Sequence, residues 1–267
     1  MKLNDKSTPW LVMGPPSPAV RLRLFCFPYA GGGASVFRKW RDELPASVEI
    51  CAVQLPGREG RFVEPLITEM AAALEGLAYA IEPYLDLPFA FFGHSVGARI
   101  AFELTRKLRG KMRMQPVRLL VSGSRAPHIP EPNPLHHLPE EEFVRELGRF
   151  AGTPEAVLKN RELMEIYSPV LRADFTLEET YAYIDETPLD CPISAFGGTE
   201  DKEAERKEVE AWRRHTDGPF ALGMFEGDHF FIHSELSAVL RRISGILLSD
   251  IEEMERNAPM IRSRSCR

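Results

Sequence analysis

Short apolar runs rich in β-branched and aromatic residues alternate along the chain with longer stretches in which apolar positions recur every three to four residues. The first pattern predicts buried strands, and the second predicts amphipathic helices. We predict strands at 20–27, 48–53, 88–93, 117–122, 191–196 and 220–225. Helices are predicted at 35–44, 67–84, 96–109, 203–215 and 234–248. Such alternation is typical of an α/β fold whose mostly parallel central sheet is flanked by helices.

One interval breaks the alternation. Residues 125–188 carry no convincing strand, but they contain helical patterns at 140–150 and 162–183, the second of which Pro169 should kink or divide. We predict that 125–188 form a helical lid insertion in a core made of 1–124 and 189–256; the alternative is an ordinary helical excursion packed on the sheet. The Arg-containing tail, 257–267, is predicted to be loose.

Composition and charge narrow the class of protein. Of 267 residues, 44% are hydrophobic and 27% are charged, which is typical of a globular domain with a buried core. A net charge of −6, with no Lys/Arg block interleaved with aromatics, argues against nucleic acid as a partner. There is no apolar run of membrane-spanning length, no secretory signal pattern and no C-x-x-C pair, so we expect no membrane partner and a cytoplasmic location.

The strongest chemical signal is the sequence Gly-His-Ser-Val-Gly around Ser95, between a predicted strand and a predicted helix. A serine at the tip of such a sharp turn projects over the edge of the sheet, and glycine on either side avoids clashes of Cβ atoms. The five-residue pattern alone is weak, but its position between strand and helix makes it specific. We therefore predict that Ser95 is a nucleophile; the structural alternative is a serine that caps a helix.

A serine nucleophile needs a base and a carboxylate that orients the base, and in this kind of fold the chain order is Ser, acid, His. His229 follows the last predicted strand and is the predicted base, with His233 as its rival. Asp201 follows the preceding strand and is the predicted acid, with Glu200 as the remaining competitor. All three groups should meet at the carboxyl edge of the sheet.

Two backbone N–H groups should stabilise the oxyanion that forms during acyl transfer. Val96, directly after the nucleophile, supplies one, and Ala30, in the Gly-rich loop after the first predicted strand, is expected to supply the other. A phosphate-binding role of that loop is disfavoured because the chain has neither G-x-G-x-x-G nor a Walker lysine.

Taken together, these segments resemble the type II thioesterases of polyketide and nonribosomal peptide biosynthesis and the related medium-chain thioesterase of fatty acid synthase. The resemblance covers most of the chain and rests on the segments 27–32, 55–59, 92–97, 171–174, 197–201 and 229–231. It implies an α/β-hydrolase fold in which Ser95, Asp201 and His229 are catalytic. Val96 stands where the family usually has Met or Leu, and Tyr29 stands where His is common.

The resemblance implies a thioesterase that removes acyl groups from the phosphopantetheine arm of an acyl or peptidyl carrier protein through an acyl-serine intermediate, without a metal or other cofactor. We expect a monomer. Tyr29 and Arg58 are candidate substrate- or carrier-binding residues, and the alternative for Arg58 is simple surface exposure. Steering of an acidic carrier would need a local cluster such as Arg58, Arg61 and Arg99. Asp174 is expected to be structural. A carboxylester hydrolase, an acyltransferase and a non-catalytic receptor of the same fold remain the alternatives.

Overall fold

A computed structural model describes residues 8–150, 152 and 155–257 of the chain. These residues form a seven-stranded sheet in the order β1-β3-β2-β4-β5-β6-β7, in which only β1 runs antiparallel to its neighbour. The strands are β1 (Leu11–Met13), β2 (Leu22–Phe27), β3 (Val48–Val53), β4 (Phe89–His94), β5 (Arg118–Ser122), β6 (Ile193–Gly198) and β7 (Phe220–Phe225). The predicted fold class is confirmed.

All six predicted strands are present, with ends that move by no more than two residues. The central strands read as continuous apolar runs because both of their faces are covered; every residue of β4, for example, is buried. The prediction missed β1, a three-residue edge strand in which only Leu11 is buried, so that it carries no periodic signal.

Helices cover both faces of the sheet. They are α1 (Trp40–Glu43), α2 (Met70–Ile81), α3 (Val96–Met112), α4 (Glu140–Leu147), α5 (Glu155–Leu158), α6 (Arg161–Glu179), α7 (Arg206–Glu210), α8 (Phe231–Ser234) and α9 (Leu236–Asn257). Short 3-10 helices lie at Ala34–Phe37, Glu59–Arg61, Glu82–Tyr84, Gly148–Phe150 and Ala211–His215. One apolar cluster joins α2 and α3 to the sheet, and a second joins α1 and α9 to the opposite face. Each face of the sheet is thus sealed from water by its own layer of helices.

The long segment between β5 and β6 contains α4, α5 and α6 and adds no strand to the described sheet. It has an apolar cluster of its own, formed by Leu135, Phe143, Leu147, Met164, Leu171 and Phe175. Pro169 does not divide the second helical stretch, because α6 runs through this residue. Packing of the apolar face of α6 compensates for the one backbone hydrogen bond that a proline removes.

The C-terminal helix α9 extends through Asn257, nine residues beyond the predicted end. Asn257, the first residue of the predicted loose tail, therefore belongs to the helix, and 258–267 lie outside the described residues. Among the helices of the described part, none is both long enough and apolar enough to cross a lipid bilayer.

The strand order reverses direction at β2, which lies between β3 and β4. After β2 the chain crosses to one side to form β3, and it then returns to form β4 on the other side. The loops that follow β2 and β4 consequently diverge and leave a crevice at the carboxyl edge of the sheet, which is where open α/β sheets bind their ligands. The Gly-rich loop and Ser95 follow these two strands.

Candidate active site

Ser95 lies in the tight turn between β4 and α3, with the backbone angles φ 56° and ψ −125°. This conformation is rare for a residue with a side chain and costs on the order of 1–3 kcal/mol. The turn leaves no room for side chains beside it: a Cβ on Gly93 would lie 2.2 Å from the carbonyl oxygen of Gly97, and a Cβ on Gly97 would lie 2.2 Å from that of Phe27. Glycine on both sides of Ser95 is therefore a steric requirement.

His229 and Asp201 form a buried hydrogen-bonded pair. The distance from His229 Nδ1 to Asp201 Oδ2 is 3.0 Å, and both residues are 5% exposed. The other carboxylate oxygen accepts the backbone N–H groups of Glu203 and Ala204 at 2.9 and 3.1 Å. These bonds fix the orientation of the carboxylate, while Glu200, the competing acid, is exposed.

Ser95 and His229 line the same two small cavities, of about 40 and 30 Å³. Within the part of the chain that the structure describes, their side chains do not form a hydrogen bond with each other. Such a bond is often absent from an unliganded active site and forms when substrate binds. The arrangement places the predicted nucleophile and the imidazole of His229 in one cavity, with Asp201 bonded to the far side of that imidazole.

The loop after β2 makes a turn in which the N–H of Gly32 donates to the carbonyl of Tyr29 at 2.9 Å, and Gly31 has φ +76°. A positive φ at the third position is the signature of a type II turn, which places Ala30 second. The Ala30 N–H has no acceptor among the described residues. Val96 is the first residue of α3, so its N–H lacks a partner within the helix. Both predicted oxyanion donors are thus available.

Several aromatic rings surround His229, and the sequence patterns did not predict this packing. The ring of buried His94 lies 5.2 Å from that of His229, and the rings of Phe150 and Phe230 lie 6.0 and 5.2 Å from it. Burial lowers the pKa of His94 well below its ordinary value, so this ring stays neutral. His94 Nδ1 is 2.9 Å from Ser122 Oγ. These rings pack around the imidazole of His229. His94 and Phe230 belong to the segments 92–97 and 229–231, whereas Phe150 comes from the insertion.

Tyr29 lines both the cavity at Ser95 and the larger groove beside it. Its hydroxyl is 3.0 Å from Nε2 of His233, and its ring packs against Phe230 at 4.9 Å. Burial raises the pKa of the Tyr29 phenol. His233, the rival for the role of base, is exposed, and its Nε2 is hydrogen-bonded to the Tyr29 hydroxyl.

Arg58 is buried, with 5% of its surface exposed, so the alternative that it is a simple surface residue is wrong. Its guanidinium binds the carboxylate of Asp174, with Nη1–Oδ2 and Nη2–Oδ1 distances of 2.5 and 2.8 Å. Arg61 and Arg99 are also buried, and each is paired with a glutamate. The three arginines therefore do not form the exposed basic cluster that was considered for steering a carrier protein. The partners of Arg58 and Arg99 lie far along the chain, so local sequence gave no sign of these two ion pairs.

A groove of about 680 Å³ adjoins the cavity at Ser95 and shares Tyr29, Ala30, Gly152 and Leu171 with it. On its outer side the groove is lined by partly exposed apolar residues, namely Phe62, Ile166 and Tyr167. A second narrow cavity that contains Ser95 and His229 is lined partly by polar groups, which include Ser124, Arg125, Glu178 and Glu179. The predicted nucleophile therefore has a wide, mainly apolar groove beside its first cavity and a partly polar lining in its second.

Comparison with known proteins agrees with this geometry. A family model described as the thioesterase domain matches residues 22–247. The chain belongs to the thioesterase domain family. The resemblance to thioesterases and the enzyme class expected from the sequence, an acyl-thioester hydrolase, are therefore confirmed.

Individual relatives span nearly the whole chain. Linear gramicidin dehydrogenase LgrE of Brevibacillus parabrevis is 43% identical over 93% of this chain and 96% of its own length. Thioesterase PikA5 of Streptomyces venezuelae is 39% identical over 92% of this chain and 88% of its own. The solved structure of the type II thioesterase BorB from the borrelidin biosynthetic cluster is 34% identical, with a TM-score of 0.80 over 91% of this chain and 97% of that one.

Proposed function

We propose that this thioesterase hydrolyses acyl groups from the phosphopantetheine arm of carrier proteins in polyketide or nonribosomal peptide biosynthesis, with Ser95, His229 and Asp201 as its catalytic residues. The observation that carries the proposal is the hydrogen bond between Asp201 and His229, whose imidazole lines the same cavity as the strained Ser95. The similarity to BorB, a type II thioesterase from the borrelidin biosynthetic cluster, and the groove beside Ser95 support the carrier-bound substrate.

In the mechanism, Ser95 Oγ attacks the thioester carbonyl while His229 Nε2 accepts the hydroxyl proton. Asp201 holds Nδ1 as the protonated nitrogen, which leaves Nε2 as the base, and it stabilises the imidazolium that forms. The N–H groups of Ala30 and Val96 donate to the tetrahedral oxyanion. The imidazolium then protonates the departing thiolate sulfur, so that pantetheine leaves as the free thiol, and water activated by the same histidine releases the acid from the acyl-serine.

The groove that shares Tyr29 and Leu171 with the catalytic cavity is our candidate path for the pantetheine arm. Its volume of about 680 Å³ falls within the range of ordinary ligand pockets, and it is open at its outer end. Exposed Phe62 and Tyr167 flank this opening and could contact the carrier itself. A cytoplasmic location would give the enzyme access to such carriers.

The segment between β5 and β6 is our candidate lid. From it, Leu147, Phe150 and Phe175 reach the cavity at Ser95, while Val157 and Leu163 reach the groove. The segment therefore covers both the reacting atoms and the path toward them. Covering of this kind excludes bulk water, which strengthens the electrostatic stabilisation of the oxyanion.

The name of one relative, a dehydrogenase, suggests redox chemistry for that protein. In this chain the loop after β2 has no G-x-G-x-x-G sequence, and its Ala30 lines the cavity with Ser95 and His229. These features favour acyl transfer to water over hydride transfer, and we retain hydrolysis as the proposal.

Replacement of the nucleophile tests the proposal. We expect Ser95→Ala to abolish hydrolysis of acyl-pantetheine and acyl-carrier substrates, with an unchanged fold, while Ser249→Ala, at an exposed position on α9, keeps full activity. Release of free thiol is measured beside hydrolysis of matched oxygen esters, and circular dichroism reports the fold. A folded, fully active Ser95→Ala protein, or a clear preference of the wild type for oxygen esters, would contradict the proposal.

A further inference from the structure

Two sequence segments that the catalytic mechanism leaves unused meet in the structure. Arg58 follows β3 in the segment Leu-Pro-Gly-Arg, and Asp174 lies on α6 in the segment Leu-Arg-Ala-Asp. Their side chains are 6% and 3% exposed and make two parallel hydrogen bonds. We infer that this buried pair positions the oxyanion loop, and thereby the Ala30 N–H, for catalysis.

The pair holds the loop by two consecutive residues. Asp174 Oδ2 accepts the backbone N–H of Gly31 at 2.7 Å, and Arg58 Nη1 donates to the carbonyl oxygen of Gly32 at 3.3 Å. Gly31 directly follows Ala30, the oxyanion donor, within the same turn. The bond between Gly32 and Tyr29 closes the turn, and further along the loop the N–H of Ala34 donates to Gln54 Oε1 at 2.8 Å. The bonds from Asp174 and Arg58 fix the two residues that directly follow the donor.

The α6 helix also limits the loop sterically. A Cβ built on Gly31 would lie 2.6 Å from Cδ2 of Leu171, which is one helical turn before Asp174. The loop is thus pressed against the helix at the same place where the carboxylate binds it. This part of the insertion therefore packs directly against the oxyanion loop.

The chemistry of the pair fits a positioning role. A buried ion pair gives little net stability, because the loss of hydration offsets the attraction between the charges. The pair instead fixes the orientation of the carboxylate. The planar guanidinium makes two bonds to it, and these bonds hold Oδ2 where it accepts the N–H of Gly31. Small displacements of an oxyanion donor matter because its contribution depends on a distance matched to the transition state.

The test uses the double variant Arg58→Met/Asp174→Leu. Single replacements leave an uncompensated buried charge and would confound activity with folding, whereas apolar replacement of both partners commonly preserves stability. We expect the double variant to melt within a few degrees of the wild type but to lose about 10- to 100-fold in kcat, somewhat less than complete removal of an oxyanion donor costs. KM for an acyl-pantetheine substrate should change little.

A second measurement separates positioning from a purely structural role. A trifluoromethyl ketone analogue of the substrate forms a tetrahedral adduct with the serine, and its inhibition constant should rise in parallel with the loss of kcat. A thioether analogue that lacks the carbonyl should bind the variant as it binds the wild type. A variant that is folded and retains both wild-type kcat and wild-type affinity for the ketone would overturn the inference.

The chain offers a matched control. Arg118 and Asp250 form a similar two-bond pair between β5 and α9, with distances of 2.6 and 2.5 Å. Arg118 begins β5, at the end of the sheet opposite to Ser95. The variant Arg118→Met/Asp250→Leu should keep wild-type kcat and ketone affinity. Equal losses in both double variants would also refute a specific role of Arg58 and Asp174.

This inference rests on the proposed function, but different experimental results would refute each of them. If wild-type protein does not hydrolyse thioesters, or if Ser95→Ala does, the proposed function falls. If the wild type is active, Ser95→Ala is inactive and the Arg58/Asp174 variant matches the wild type, only the positioning role falls.

Discussion

The replacement Asp201→Asn tests the orientation of His229 most directly. One carboxylate oxygen of Asp201 accepts the N–H groups of Glu203 and Ala204, and the other is 3.0 Å from His229 Nδ1. Two backbone donors require an oxygen at the first position, so the amide of asparagine must present its NH₂ group to His229. The imidazole then offers a lone pair at Nδ1 and carries its proton on Nε2, where it cannot accept a proton from Ser95.

The expected loss is large in rate and small in stability. Inversion of the tautomer in a serine triad costs about 10⁴-fold in kcat, which equals about 5.4 kcal/mol of transition-state stabilisation. Folding loses only a charge-assisted hydrogen bond, worth about 1–3 kcal/mol, and the new amide bond to Nδ1 offsets part of it. The two quantities therefore separate clearly in experiment.

The assay combines steady-state hydrolysis of an acyl-pantetheine thioester with urea unfolding. The control is Glu200→Gln, at the adjacent exposed carboxylate, which should leave kcat within twofold of the wild type. If Asp201→Asn retained more than a tenth of the wild-type kcat, the assignment of the acid would be wrong, and equal losses in the Glu200 variant would reopen the choice between them.

Two further predictions concern the elbow and the pH dependence of stability. Gly97→Ala should destabilise the fold by about 1–3 kcal/mol and abolish activity, because the new Cβ would lie 2.2 Å from the carbonyl oxygen of Phe27. The control is Gly110→Ala in the same helix, which has open space around it and should be neutral or stabilising in urea unfolding. Burial, followed by the charges of His128 and Arg214, lowers the pKa of His215 from 6.5 to about 3. The unfolded chain therefore binds one proton more than the folded chain between these pH values, and the free energy of unfolding should fall on acidification below pH 6.5 by about 1.4 kcal/mol per pH unit from this group. His215→Gln should remove that part of the slope in urea titrations from pH 7 to 4, and an unchanged slope would show that His215 does not contribute.

The sequence located the strands well because each is an apolar run bounded by turn residues. Both the run before Ser95 and the run before Asp201 became strands of the parallel sheet, and parallel strands bring their carboxyl ends to one edge. The order Ser, Asp, His along the chain was therefore enough to predict that these side chains would follow strands at one edge of the sheet. Local patterns failed where a signal was short, as at β1, a three-residue edge strand.

The sequence by itself determined the sheet, the elbow at Ser95 and the family, since these depend on periodicity and on motifs a few residues long. Only the tertiary structure decided that Arg58 is buried against Asp174, 116 residues further along the chain. An arginine after a turn is usually a surface residue, and the local sequence does not identify its buried partner. Its partner arrives on a helix of the insertion, and the docking of that helix depends on packing across the whole molecule, which no local pattern encodes.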